Sequence, residues 1–97
     1  MISYHQGRFM KINAILINPK DNVAVVTAEV KAGEEIVGVP GRELKAREDI
    51  RKNHKVALVE IRAGERVVKY GESIGVASKT IQAGEWVHTH NLKLEEN

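Results

Sequence analysis

Two of the four histidines and the only tryptophan of this chain fall within five residues, Trp86-Val87-His88-Thr89-His90. On an extended strand successive side chains alternate faces, so Trp86, His88 and His90 share one face. Imidazole titrates near neutral pH and ligates metals, so a His-x-His pair on one strand face suits proton transfer or divalent metal binding. Two ligands do not close a metal site. His54, a carboxylate or a further chain has to complete it. The bland alternative is a pair of solvated or hydrogen-bonded imidazoles, with Trp86 as a packing or interface residue. His54-Lys55, at the end of a charged stretch, either binds an anion or merely ends the loop.

These residues are positioned by a small unit used three times. Ala32-Gly33-Glu34, Ala63-Gly64-Glu65 and Ala83-Gly84-Glu85 are each preceded by an apolar and a long polar residue and followed, one residue on, by Ile or Val. The pattern predicts a strand ending, a glycine turning the backbone through a region closed to residues with a Cβ, and a new strand starting. The interval from Gly33 to Gly64 is clearly longer than that from Gly64 to Gly84, too uneven for a solenoid of fixed period. Period-two alternation predicts strands over residues 11–16, 23–30, 56–61 and 74–81, with shorter ones at 34–39, 66–69 and 85–90. Asn18-Pro19-Lys20-Asp21-Asn22 is a cluster of turn residues. The segment from Gly41 to Lys52, anchored only by Leu44 and Ile50, reads as an exposed connection with one strand and one helical turn. Residues 1–10 match no strand or helix pattern and read as a loose extension. The domain is expected over 11–92, followed by a tail over 93–97.

At 97 residues the chain makes one domain that buries somewhat over about 60% of its unfolded surface. So small a core seldom encloses a deep active site, and an enzymatic role calls for a second copy, as in a homodimer, or a second subunit. Fifteen Lys and Arg against 13 Asp and Glu leave a formal charge of +2, which gives nucleic-acid binding no support. The absence of cysteine excludes disulfides and thiolate chemistry. Neither a signal sequence nor a stretch of about 20 apolar residues is seen, so a soluble, cytoplasmic chain without a membrane partner is expected.

Three separated stretches resemble a known family: Asn53-His54-Lys55-Val56-Ala57-Leu58, Val67-Val68-Lys69-Tyr70-Gly71-Glu72-Ser73-Ile74-Gly75, and Ala83-Gly84-Glu85-Trp86-Val87-His88-Thr89-His90-Asn91. Together with Asp21-Asn22-Val23-Ala24-Val25 they look like the small domain that opens the altronate and galactarate dehydratases. The Ala-Gly-Glu copies alone resemble the wider SAF group, an all-β fold called a β-clip, built of short strands and long hairpins. Two departures stand out. Asn53 replaces the glycine usual before His-Lys, and asparagine tolerates positive φ better than other residues with a side chain. Trp86 occupies a position that varies among relatives and receives no catalytic role.

The resemblance implies a metal-dependent hydro-lyase that turns a sugar acid into a 2-keto-3-deoxy acid, with iron(II) as the divalent metal in the best-known members. It further implies a large catalytic subunit or domain as partner. Such chemistry needs a base for the proton α to the carboxylate, a cation for the enediolate and help for the departing hydroxide. His88, His90 and His54 are the catalytic candidates, with His88 and His90 also the metal candidates. Lys55, Lys69, Tyr70 and Asn91 are candidates for holding the substrate. The large region is missing from these residues, which implies either a separate small subunit or a fragment, inactive alone. Two alternatives stand beside this reading: the small subunit of a 3-sulfolactate sulfo-lyase, and a non-enzymatic SAF-type module that binds carbohydrate or protein.

Overall fold

The three Ala-Gly-Glu copies form one turn three times over. In each, the glutamate N–H donates to the carbonyl three residues earlier, Glu34 to Lys31, Glu65 to Arg62 and Glu85 to Gln82. Gly33, Gly64 and Gly84 have φ of 89°, 87° and 91°, which makes all three turns type II. The glutamate carboxylate reaches back to the N–H of the first turn residue, locking the loop from inside. Each turn then docks on a buried alanine through two backbone hydrogen bonds of 2.8–2.9 Å: Gly33 and Glu34 on Ala46, Gly64 and Glu65 on Ala77, Gly84 and Glu85 on Ala57. A methyl side chain leaves room for that approach, which a larger one would close.

The computed structural model describes residues 3–5 and 8–94, with residues 3–5 and 8–10 as backbone only; expectations for residues 1, 2, 6, 7 and 95–97 lie outside the described residues. Its strands in chain order are β1 (Ser3–His5), β2 (Arg8–Met10), β3 (Ala14–Ile15), β4 (Val23–Val26), β5 (Glu35–Ile36), β6 (Leu44–Lys45), β7 (Lys55–Ala57), β8 (Arg66–Lys69), β9 (Glu72–Ala77), β10 (Trp86–Val87) and β11 (Leu92–Lys93). All pairings are antiparallel and no helix occurs among the described residues, so the chain is an all-β domain. The central sheet runs β10-β7-β4-β3, flanked by β11-β9-β8 and by the pair β5-β6.

Alternation along the central sheet feeds two cores. Ala24, Val26, Val56 and Leu58 pack with Val30, Ile36 and Ile50 on one side. Val23, Ala57 and Val87 pack with Ile61, Val67, Ala77 and Ile81 on the other. Each fully buried Ile or Val contributes about 1.5–3 kcal/mol, so Ile50, Ile61 and Ile81, which lie outside regular strands, are major anchors. Single β-bridges, Val30 to Ile50 and Ile61 to Ile81, hold them in place.

Several expectations require correction. The strands are shorter than the alternation suggests, because the chain leaves one sheet for another every few residues. Residues 3–5 and 8–10, expected to be an unstructured extension, pair as a hairpin in which Ser3 faces Met10 and His5 faces Arg8. The segment 41–52 has no helical turn, and Ala46 anchors it as well as Ile50. The body of the domain runs past residue 92, since Lys93 pairs with Val76. The Asn53 substitution is accommodated as anticipated, with φ of 71°.

Candidate functional site

Strands β7 and β10 pair with Trp86 opposite Val56, which places residue 54, two before Val56, beside residue 88, two after Trp86. His54, Trp86 and His88 accordingly lie on the same side of the sheet. Trp86 and His88 stack with centroids 5.2 Å apart and planes within 12°, while His54 leans on both, 5.6 Å from Trp86 and 5.0 Å from His88. The Trp86 indole N–H donates to Nδ1 of His54 at 3.0 Å.

His90 reaches the same cluster by another route than strand alternation. The strand stops at Val87 and residues 88–91 form a turn, which brings His90 to 4.8 Å from the Trp86 ring. Asn91 makes that turn. It is buried, its Oδ1 accepts the His88 N–H at 2.9 Å, and its Nδ2 donates to the Trp86 carbonyl at 2.8 Å. Both ends of its amide are thus committed to the backbone, and Asn91, a substrate-binding candidate, holds the cluster in shape.

Lys55 follows His54 but alternation turns it to the other side of the sheet, opposite Val25 and Val87. Partial burial, then the ammonium of Lys69, lowers its pKa. For His88, desolvation first and then the charges of His54, Lys55 and His90 hold the imidazole below its usual range, so it is neutral near pH 7. Ion pairs among the described residues join Lys31 to Glu29 and Asp49, and Arg62 to Glu60. None involves Lys55 or Lys69. The end of β7 therefore gathers imidazoles on one face and ammonium groups on the other.

Lys69 and Tyr70 sit where β8 turns into β9. Tyr70 is 62% exposed at a φ of 57°, with the Lys69 ammonium 5.1 Å from its ring centroid. Asp21 builds this tip: its buried carboxylate accepts the N–H groups of Tyr70, Gly71 and Asn18 at 2.8–3.1 Å. Asn22 extends the tie, accepting from Val68 N–H and donating to the Arg66 carbonyl. Asp21 and Asn22 were legible as turn formers and as part of a family-like stretch, yet their role is to join the turn before β4 to the distant hairpin of β8 and β9.

A groove of about 480 Å³ runs beside the rings, lined by Glu29, Asp49, Arg51, His54, Trp86 and His88. The charged segment 41–52 clamps its floor: Arg47 N–H donates to the Gly84 carbonyl and the Glu48 carboxylate accepts the Trp86 N–H. Glu48 had no signal in the sequence. Among the described residues no group of three or more His, Asp or Glu side chains is placed to hold a metal ion. With Nδ1 of His54 engaged, His88 and His90 alone do not form a closed divalent-metal site.

A family model described as the altronate/galactarate dehydratase SAF domain matches residues 12–95. Altronate dehydratase of Escherichia coli (strain K12) is 41% identical over 86 residues, and that of Bacillus subtilis (strain 168) 38% over 79, covering 89% and 81% of this chain. The chain spans only 16% of the length of either. The (2R)-sulfolactate sulfo-lyase subunit alpha of Chromohalobacter salexigens is 33% identical over 90 residues, which cover 87% of this chain and 96% of that protein. No helix among the described residues is long and apolar enough to cross a membrane.

Proposed function

The chain belongs to the altronate/galactarate dehydratase SAF domain family, and from that premise we propose that it serves as the small accessory part of a sugar-acid dehydratase, acting with a much larger catalytic region. The observation that carries this reading is the gathering of His54, His88, His90, Lys55 and Lys69 at the end of β7 with no carboxylate bridged to either lysine among the described residues. The two ammonium groups repel one another, and an anionic substrate relieves the repulsion. Lys55 and Lys69, across the sheet from the rings, draw the anionic substrate toward this edge by longer-range attraction, and the larger region holds its carboxylate. His88, neutral at the working pH, accepts the proton from the carbon α to that carboxylate. The proton and the hydroxide leaving the next carbon make one water, and the remaining enol becomes a 2-keto-3-deoxy acid. We place the divalent metal of the assembled enzyme in the larger region, since the described residues of this chain offer no closed ligand set.

A second reading follows from the near-complete coverage of a sulfo-lyase subunit: the same cationic edge suits a sulfonate. One experiment addresses both. The chain is assayed alone and with its co-purified larger partner or region on altronate, galactarate and 3-sulfolactate. Dehydration only in the assembly supports the proposal, sulfite release supports the second reading, and turnover by the isolated chain overturns the accessory role.

A further inference from the structure

Indole nitrogen is a hydrogen-bond donor and never an acceptor, so a nitrogen that lies 3.0 Å from Nε1 of Trp86 has to present a lone pair. That nitrogen is Nδ1 of His54. A neutral imidazole carries one proton, which then resides on Nε2. The contact is not incidental to the packing: Trp86 rests against the first core, its backbone N–H is fixed by Glu48, its carbonyl by Asn91, and its ring stacks on His88 with His90 tilted against it. The donor is rigid from four sides, so it dictates the state of its acceptor.

We propose that Trp86 is a positioning residue that fixes His54 as the Nε2–H tautomer, making it a hydrogen-bond donor towards an oxygen of a ligand in the groove it lines with His88. His54 then donates while neutral His88 accepts, and two adjacent imidazoles acquire opposite roles. Neither nitrogen of His54 is free to bind a metal while the bond stands. The assignment of His54 as the donor to the departing hydroxyl rests on the dehydratase reading; the tautomer itself does not.

The test uses the full 97-residue chain labelled with 15N, without ligand or partner. Above the range where imidazole protonates, the expected spectrum shows His54 with its proton on Nε2 and a 15N–15N coupling across the hydrogen bond from Trp86 Nε1 to His54 Nδ1. Trp86→Phe keeps an aromatic ring but removes the donor; its expected effect is loss of the coupling and a shift of His54 toward a mixture of tautomers. A proton on Nδ1 in the wild-type chain, or an absent coupling in that folded chain, overturns the proposal even if the variant fails to fold. An unchanged tautomer in a folded Trp86→Phe chain overturns it as well. Full activity of His54→Ala in the assembled enzyme, with the coupling present in the chain, overturns the catalytic assignment of His54 and leaves its tautomer standing.

Discussion

The second and third Ala-Gly-Glu turns make the same hydrogen bonds and differ in what surrounds them. Around Gly64 the space where a Cβ would project is open, whereas at Gly84 it is filled by the Lys45 carbonyl oxygen, with the Arg47 side chain beside it. The second turn leads into β8, a bulged strand of the three-stranded sheet, and the third leads into Trp86 and the histidines. A repeated backbone device is therefore general-purpose scaffolding. Specificity arises where another segment, here 45–48, is laid across one copy and clamps it.

The sharpest break of this comparison is Gly84→Val against Gly64→Val. Both force a Cβ onto a positive φ, but only the first also displaces backbone, so the expected losses are roughly 3–5 kcal/mol and roughly 1–2 kcal/mol in urea unfolding. Equal losses would show that the clamp on the third turn is incidental. Next in size is Asp21→Ala, which leaves three backbone N–H groups without their charged acceptor and is expected to cost about 2–3 kcal/mol. Its amide-exchange signature belongs at residues 68–72, with the cluster at 86–92 unaffected.

In the assembled enzyme, His88→Ala is expected to lower kcat at least about tenfold, about 1.4 kcal/mol of transition-state stabilisation, with the domain still folded. His90→Ala, at an exposed turn position, is expected to do less; the reverse order would move the chemistry out of the groove. The smallest effect is on pH. Because the His88 pKa is lowered on folding, its contribution to stability is complete above about 6.5, the ordinary imidazole value, and is lost as the pH falls through the lower folded value. Urea midpoints followed through that window should drop in the wild type and flatten in His88→Gln. Amide exchange should rise first at 86–92 and not at the histidine-free second turn.

Much of this architecture was legible because glycine and asparagine at positive φ are read directly from local chemistry. That logic located all three turns and the Asn53 substitution, and strand alternation placed Trp86 with His88. It misplaced what depends on distant partners. Ala46, Ala57 and Ala77 receive the turns, yet an alanine looks alike in a core, a loop or a landing site. His54 joins the rings from the residue before β7, and the sequence named it as a candidate without showing that it packs against Trp86. Asn91 was a substrate candidate through the family resemblance; the burial and the hydrogen bonds by which its amide holds the turn depend on the folded backbone and could not be read from its type or position. The hairpin of β1 and β2 carries no alternation long enough to register.

The order in which the three turns close has a kinetic consequence. Gly33 docks forward on Ala46 and Gly64 forward on Ala77, loops short enough to form early, whereas Gly84 docks backward on Ala57 across a much longer one. The third turn therefore finds its landing site only after β7 has been laid down, and Ala77→Gly should slow refolding while Ala57→Gly should chiefly hasten unfolding in stopped-flow measurements. Trp86 fluorescence, which should change when His88 stacks on the ring, then becomes a clock for the final step. On this order the ring cluster is the last part of the domain to form.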